Sequence, residues 1–387
     1  MTYANYIVGF FVSTIGTATI ILQIISVIVG IWLVGWTLQS AIRAFVLPRS
    51  ERVWLQRFVF QTIFTVVLLR LHRAKSYEDR DRISAIYAPI AVLTMPFVCL
   101  SLIVVGYTLI YWGLGITPFY QAFLLSGSSL YTLGFDLTDG LVFLLLIYSE
   151  ATLGLGLAAL LVSYLPTMYG AFSRRERAVA MLEIRAGDPP SPIEMIKRFN
   201  RLERLDKLDD FFSTWEEWFA DVEESHTSLS ALVFFRSPQP NRSWLTSAGV
   251  VMDGAAIYHS CVVPEAQGYQ AALAIRGGYI ALRRISDFFN ISYDPHPQPT
   301  DDISITFEEF TEAYDEMAEA GVPLKTDVET AWQNFRGWRV NYDTVLIQLA
   351  NLTLAPYARW ISDRSLAEME PLFNSRFGRF RAKILGN

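Results

Sequence analysis

The residues best placed to do chemistry stand at the end of a long uncharged stretch, 83–135. Its last four residues combine a hydroxyl, a glycine and two large apolar side chains: Thr132, Leu133, Gly134 and Phe135. The stretch has 53 residues, too many for one membrane span of about 20 and too few for two spans with a loop. Part of it therefore enters the bilayer without crossing. Non-helical backbone at that depth is tolerated only where it is buried in protein or lines water.

A single acid, Glu150, interrupts the apolar stretch that follows, 140–169. A carboxyl group at this depth is costly unless it faces water or a hydrogen-bonding partner. We expect Glu150 to line a water-filled pore or cavity as an attractor of cations. The alternative is a hydrogen bond behind residues 132–135 to one of three serines: Ser126, Ser128 or Ser129.

Three residues of the same stretch bear on helix bending: Gly154, Gly156 and Pro166. The two glycines are equally compatible with a hinge and with close helix packing, because glycine is common in membrane helices. Pro166 is expected to kink the helix near its inner end, although it is also compatible with the mere approach of that end.

The elements that must position these residues belong to two parts of the chain that differ in their content of charged residues. Of the 387 residues, 18% are charged, against about 25% in soluble proteins. Residues 1–173 carry a net charge of +2 and residues 174–387 carry −8. A single soluble domain is excluded. A disordered chain is excluded by the 14% of aromatic residues, and a disulfide framework is excluded because there are only two cysteines. The acidity argues against nucleic-acid binding, which needs a basic face.

Three segments are predicted to span the bilayer, and each is longer than the about 20 residues that a hydrocarbon core of about 30 Å requires. They are 6–36, 85–114 and 140–169. We expect the first to be retained rather than cleaved as a signal peptide, because no basic residue precedes it.

A shorter apolar run, 58–69, lies between Arg57 and Arg70. Twelve residues of helix cover only about 18 Å. We therefore favour an interfacial or bundle-packed helix over 53–71 on the inner side, and a fourth span is the weaker alternative.

Basic residues set the expected orientation, because they concentrate on the cytoplasmic side of membrane proteins. Nine of them lie between the first two predicted spans, and three follow the last span: Arg174, Arg175 and Arg177. We expect a multi-pass protein of the cell membrane with its N-terminus and residues 115–139 outside. Residues after the last span then lie in the cytoplasm.

Between the last two spans, Thr117 and Pro118 are typical of a helix start, with threonine as the cap and proline at the first helical position. A short helix over 118–131 is predicted to dip toward the middle of the membrane. Its C-terminal dipole would favour a cation there.

In this setting, residues 132–135 resemble the pore loop of the potassium-channel superfamily, whose filter reads Thr-Val-Gly-Tyr-Gly-Asp, with Leu and Phe among its common variants. The resemblance covers about 85 residues, 85–169, and is of the prokaryotic channel type. It implies two spans around a re-entrant pore helix and a filter at 132–136. In such a filter, carbonyls and the threonine hydroxyl replace the water shell of a potassium ion, and glycine permits the required backbone angles.

The resemblance further implies a homotetramer, because one filter strand supplies one quarter of each ion cage. Asp136 stands where the family has its second glycine, either as a substitution or as the family's aspartate moved up by a deletion. Four copies of Asp136 and Asp139 would ring the outer mouth and concentrate cations. The expected ligand is a permeant potassium ion or another monovalent cation, with no cofactor and no bound metal.

The full prediction is an all-α membrane protein in four parts. An N-terminal span and inner helix (1–82) precede the pore domain (83–173), a linker (174–192) and a mainly helical cytoplasmic domain (193–387). Apolar spacing predicts helices in this last part from residue 193 onward, including segments at 244–262, 264–290, 306–320, 324–338, 342–355 and 365–384.

No nucleophile, base and orienting acid form a recognisable signature, so an enzyme is not expected. The prediction is a potassium-conducting channel in the lipid bilayer. Two alternatives remain. One is a channel for other cations or ions, and the other is a membrane-anchored signalling or scaffold protein whose acidic domain binds a partner. A cytoplasmic ligand is left open.

Overall fold

The computed structural model describes residues 2–46, 53–71, 77–136, 138–262, 268–324 and 327–363, without the side chains of residues 2–18 and 78. Within these ranges the chain forms twelve α-helices and two short 3-10 turns, and it forms no strand. One isolated β-bridge joins Val262 to Leu324. The all-α prediction is therefore confirmed for the described ranges.

The chain divides into two compact units. The first comprises Met1–His72 and Pro89–Met168, and the second comprises Arg73–Ala88 and Tyr169–Asn387. The first five helices along the chain are α1 (Thr2–Phe45), α2 (Trp54–Leu71), α3 (Tyr77–Gly113), α4 (Phe119–Leu130) and α5 (Leu141–Ala186). Four of them, all except α4, are long and apolar enough to cross a membrane.

The helix α2 is longer than its apolar run suggests. Its 18 residues match the helix predicted over 53–71 and include Arg57 and Arg70, which bracket the apolar run, and they span about 27 Å. The ring of Trp54, at its start, lies 5.9 Å from that of Trp36 in α1. Both alternatives for residues 53–71, an inner-side helix and a fourth span, are compatible with this length.

Small residues bring α1 and α3 into close, antiparallel contact. The hydroxyl of Ser26 donates a hydrogen bond to the carbonyl of Leu109, at 2.8 Å. A Cβ added at Gly30 would come within 2.5 Å of the Gly106 carbonyl oxygen. Approach of this kind is typical of helix pairs in membranes, where packing rather than water release drives association.

The helix α5 does not stop at the membrane boundary assigned from composition. It continues to Ala186, so residues 174–186 are helical and the prediction of a linker over 174–192 differs from the structure. Only residues 187–191 separate it from the next helix, α6 (Pro192–Arg201). The many charged residues in 174–186 made this continuation hard to predict from hydropathy. The helix continues because Val179, Leu182 and Ala186 bury one of its faces in the core of the second unit.

The second unit is a helical domain around a large apolar core. It contains α6, α7 (Leu208–Ser228), α8 (Trp244–Cys261), α9 (Tyr269–Phe289), α10 (Phe307–Glu319), α11 (Val328–Arg339) and α12 (Asp343–Thr353). The five predicted helices between residues 244 and 355 are confirmed, with ends shifted by a few residues. The predicted helix over 365–384 lies outside the described residues. The centre is α8, whose residues are almost all buried.

Local capping explains where several of these helices begin. The Ser191 side chain accepts a hydrogen bond from the Glu194 amide, with Pro192 in the first turn of α6. At α10, Thr306 and Glu309 form a reciprocal capping box. Each cap satisfies amides that would otherwise lack a partner at a helix start.

Candidate functional site

The short helix α4 sits between two span-length helices and turns its small residues inward. Ala122, Ser126 and Ser128 are almost completely buried. The predicted start needs correction. The helix begins at Phe119, and Pro118 occupies the cap position with extended backbone and no side-chain cap. Thr117 is therefore not the cap, because Pro118 instead offers its carbonyl to the Gln121 amide, at 2.8 Å.

Residues 132–136, which the resemblance predicts as a filter and which are called the filter segment below, leave α4 through a hydrogen-bonded turn. The amide of Thr132 donates to the Ser129 carbonyl at 3.1 Å, and the amide of Leu133 donates to the Ser128 carbonyl at 2.8 Å. Among the described residues of this loop, positive φ occurs at Thr132 (53°) and Gly134 (71°) but not at Asp136. Positive φ thus recurs at every second residue up to Gly134.

A serine hydroxyl tethers the far end of the filter segment to α4. The amides of Phe135 and Asp136 each donate to the Oγ of Ser128, at 3.2 Å. Ser128 is 1% exposed, so water does not compete for these bonds. Sequence reasoning named Ser128 only as a partner for Glu150. Ser128 lies seven and eight residues before Phe135 and Asp136, and no sequence pattern at that spacing indicates a contact.

The side chains of the filter segment lie on the outside of the isolated chain. Leu133 is 62% exposed and Phe135 is 64% exposed. Asp136 is half-buried beside them, and Asp139 is exposed. The segment thus brings together the candidates Thr132 to Asp136, held to one helix by their backbone rather than by their side chains.

Glu150 is enclosed by protein. It is 0% exposed, and its two carboxyl oxygens accept hydrogen bonds from the Ser126 hydroxyl at 2.5 Å and the Tyr111 hydroxyl at 3.0 Å. Ser126 also lies 3.1 Å from the Val104 carbonyl. This geometry corresponds to the alternative in which Glu150 binds a serine of α4, and it joins α3, α4 and α5 through one buried group. Tyr111 was not anticipated from the sequence.

The two glycines of α5 have different surroundings. A Cβ added at Gly154 would overlap the Leu130 carbonyl oxygen and would lie 3.2 Å from Leu130 Cδ1, whereas one added at Gly156 meets nothing within 4 Å. Gly154 therefore permits close packing of α5 against the end of α4. Gly156 has room to act as a hinge, and Pro166 lies within the same uninterrupted helix.

Two buried ionic clusters lie in the second unit, and sequence reasoning identified neither. In the first, the Arg339 guanidinium donates to both oxygens of Asp253, at 2.6 and 2.7 Å, to Asp343 and to the Trp360 carbonyl. Burial by itself disfavours this charge, but Asp253 and Asp343 outweigh it and raise the pKa of Arg339. These contacts join α8, α11 and α12.

The second cluster centres on Arg175, which is 1% exposed on the extension of α5. Its Nη1 lies 3.1 Å from Nε2 of His226. Burial first, and then the charge of Arg175, hold the pKa of His226 well below its usual value, while a hydrogen bond to the Val222 carbonyl opposes the shift. His226 is therefore neutral at pH 7.

Within the described ranges, no three His, Cys, Asp or Glu side chains are grouped so that they could hold a metal ion. No protein-family model, curated protein or solved structure matches this chain. Over the residues that the structure describes, the chain is all-α, with four helices that are long and apolar enough to span a membrane.

Proposed function

We propose that the protein is a homotetrameric cation channel of the cell membrane whose ions are coordinated by the filter segment. One observation carries the proposal. A short helix with one buried face, between two span-length helices, ends in a loop with positive φ at Thr132 and Gly134, and Ser128 tethers that loop. Carbonyls aligned by such a backbone can replace the hydration shell of a cation.

A tetramer follows from the chemistry of coordination. One chain contributes a single strand of carbonyls, so a closed cage needs copies related by a fourfold axis. The exposure of Leu133 and Phe135 in one chain supports this assembly, because neighbouring copies would cover both side chains. The lipid bilayer covers the remaining apolar surface of the spans.

Potassium is the ion we propose, on the resemblance of residues 132–135 to the potassium-channel filter. A non-selective pore, or one for another ion, is the second candidate. The backbone favours this second candidate, because positive φ occurs at Thr132 and Gly134 but not at Asp136. Fewer aligned carbonyl layers give a weaker distinction between potassium and sodium.

The proposed orientation places the second unit in the cytoplasm. It rests on the basic residues at the start of α3 and after the apolar part of α5, among them Arg80, Arg82 and Arg177. We propose three spans, with α2 on the inner side and the N-terminus outside.

The test is the reversal potential of the purified protein in planar bilayers under opposed potassium and sodium gradients. We expect a shift toward the potassium equilibrium potential that is lost in Gly134→Ala, because a Cβ at positive φ costs about 1–2 kcal/mol and distorts the filter. Gly35→Ala is the matched control, since Gly35 lies in α1 with no atom near the added Cβ.

Other outcomes separate the alternatives. Current that reverses near zero in the wild-type protein would retain the pore and replace potassium selectivity with the second candidate. Absence of current, together with a monomer or dimer by mass measurement, would reject the channel and favour a membrane-anchored scaffold.

A further inference from the structure

A short segment between α7 and α8 contacts four helices: α3, α5, α9 and α12. The 230–236 segment consists of a 3-10 turn, Ser230–Phe234, followed by Phe235 and Arg236. Its first four residues are buried in the second unit. Both α3 and α5 begin or end in this unit, and each is one uninterrupted helix that continues into an apolar, span-length stretch.

The segment holds α5 through two of its backbone carbonyls. Arg175 donates to the Leu232 carbonyl at 2.8 Å and to the Phe235 carbonyl at 2.7 Å. The same guanidinium lies over the ring of Phe172, 5.2 Å from its centroid, and that ring is 6.0 Å from the ring of Phe235. A buried guanidinium with fixed carbonyl partners tolerates little displacement, because any lost bond leaves an unpaired buried charge.

Two other residues of the segment, Phe234 and Arg236, contact the first turns of α3. Arg236 pairs with Asp81 at 2.5 Å, with side chains 12% and 13% exposed. The ring of Phe234 packs edge-on against Tyr87, with centroids 5.4 Å apart. Phe234 and Arg236, two residues apart, thus fix α3 by a shielded ion pair and an aromatic contact.

The remaining contacts of the segment reach the interior of the domain. Arg236 donates to the carbonyls of Thr353 and Leu354, both at 2.8 Å, at the end of α12. The Phe234 ring lies 5.5 Å from that of Phe289 at the end of α9. A rearrangement of α9 or α12 would therefore change the position of the residues that hold α3 and α5.

We propose that the 230–236 segment is a coupling element that transmits conformational changes of the helical domain to α3 and α5 together. The coupling itself is a property of the second unit. Its consequence for gating rests on the proposed channel function, in which α3 and α5 are the outer and inner helices of the pore. Because the contacts are specific hydrogen bonds, one shielded ion pair and aromatic packing, the segment favours discrete arrangements over gradual deformation.

Amide hydrogen exchange of the full-length protein in lipid nanodiscs tests the coupling without requiring current. In Asp81→Asn we expect faster exchange in residues 77–88 and also in residues 172–182 of α5. The expected increase is about 5–150-fold, the usual range of coupling between sites. Arg284→Gln is the control, because it removes an ion pair with Glu223 that joins α7 to α9 within the same domain.

A second variant, Tyr87→Leu, weakens the aromatic contact without changing charge, and it should give the same pattern. An increase confined to residues 77–88 in both variants would overturn the proposal, as would equal effects in Arg284→Gln. If the wild-type protein conducts, Asp81→Asn should also shift its open probability by a comparable factor, and an unchanged open probability would overturn the gating role. If the wild-type protein carries no current, the channel proposal fails while exchange still decides the coupling.

Discussion

The contact between Gly154 and the end of α4 gives the sharpest test of how α4 and α5 are positioned. In Gly154→Ala, the added methyl group must overlap the Leu130 carbonyl oxygen, which is a backbone atom held at the C-terminal turn of α4. A flexible side chain could rotate away, but a backbone carbonyl cannot. Either α5 or the end of α4 must therefore shift, and the filter segment begins two residues after Leu130.

The expected cost follows from overpacking. Inserting a methyl group into a tightly packed contact costs about 1–3 kcal/mol. The same substitution in an unobstructed helix interior is stabilising by up to about 1 kcal/mol, because alanine has the higher helix propensity. Gly156→Ala provides that reference two residues away, where the added methyl group meets nothing within 4 Å. Because the gain in helix propensity is common to both variants, they should differ by the overpacking cost, about 1–3 kcal/mol in the free energy of unfolding.

Equilibrium unfolding of the detergent-solubilised protein, followed by tryptophan fluorescence, measures this difference. Gly154→Ala should unfold at lower denaturant concentration than the wild-type protein, and Gly156→Ala at equal or higher concentration. If both variants unfold together with the wild-type protein, the close approach of α5 to Leu130 is wrong. If the wild-type protein conducts, and Gly154→Ala is stable but changes gating in the same way as Gly156→Ala, a hinge rather than packing explains Gly154.

Two predictions concern the helical domain. Arg339→Leu should destabilise it by about 3–5 kcal/mol, because Asp253 is left as an unpaired buried charge. Lys207→Ala, which removes an exposed pair with Asp210, should cost less than about 1 kcal/mol, and equal losses on thermal unfolding would contradict the argument. Because the pKa of His226 lies below its unfolded value of about 6.5, the unfolded state binds more protons below that pH. The free energy of unfolding should then fall by up to about 1.4 kcal/mol per pH unit as pH decreases below 6.5, and His226→Gln should remove this slope in melts between pH 5 and 8.

The sequence predicted features that depend on local composition and spacing. The apolar runs, the short helix before Thr132 and five helices of the domain follow from hydropathy and helical periodicity, which are properties of neighbouring residues. The end of α5 was predicted too early, because residues 174–186 are rich in charge. The helix persists there because its apolar face is covered by residues far along the chain.

The sequence by itself determined the all-α class, the long apolar stretches of the first half and the uncharged loop at residues 132–135. Only the tertiary structure decided which partners the buried polar residues have. Glu150 and Ser126 are 24 residues apart, Asp81 and Arg236 are 155 apart, and Arg339 and Asp253 are 86 apart. No local pattern encodes such pairs, because they form where buried polar groups from separate helices must satisfy one another.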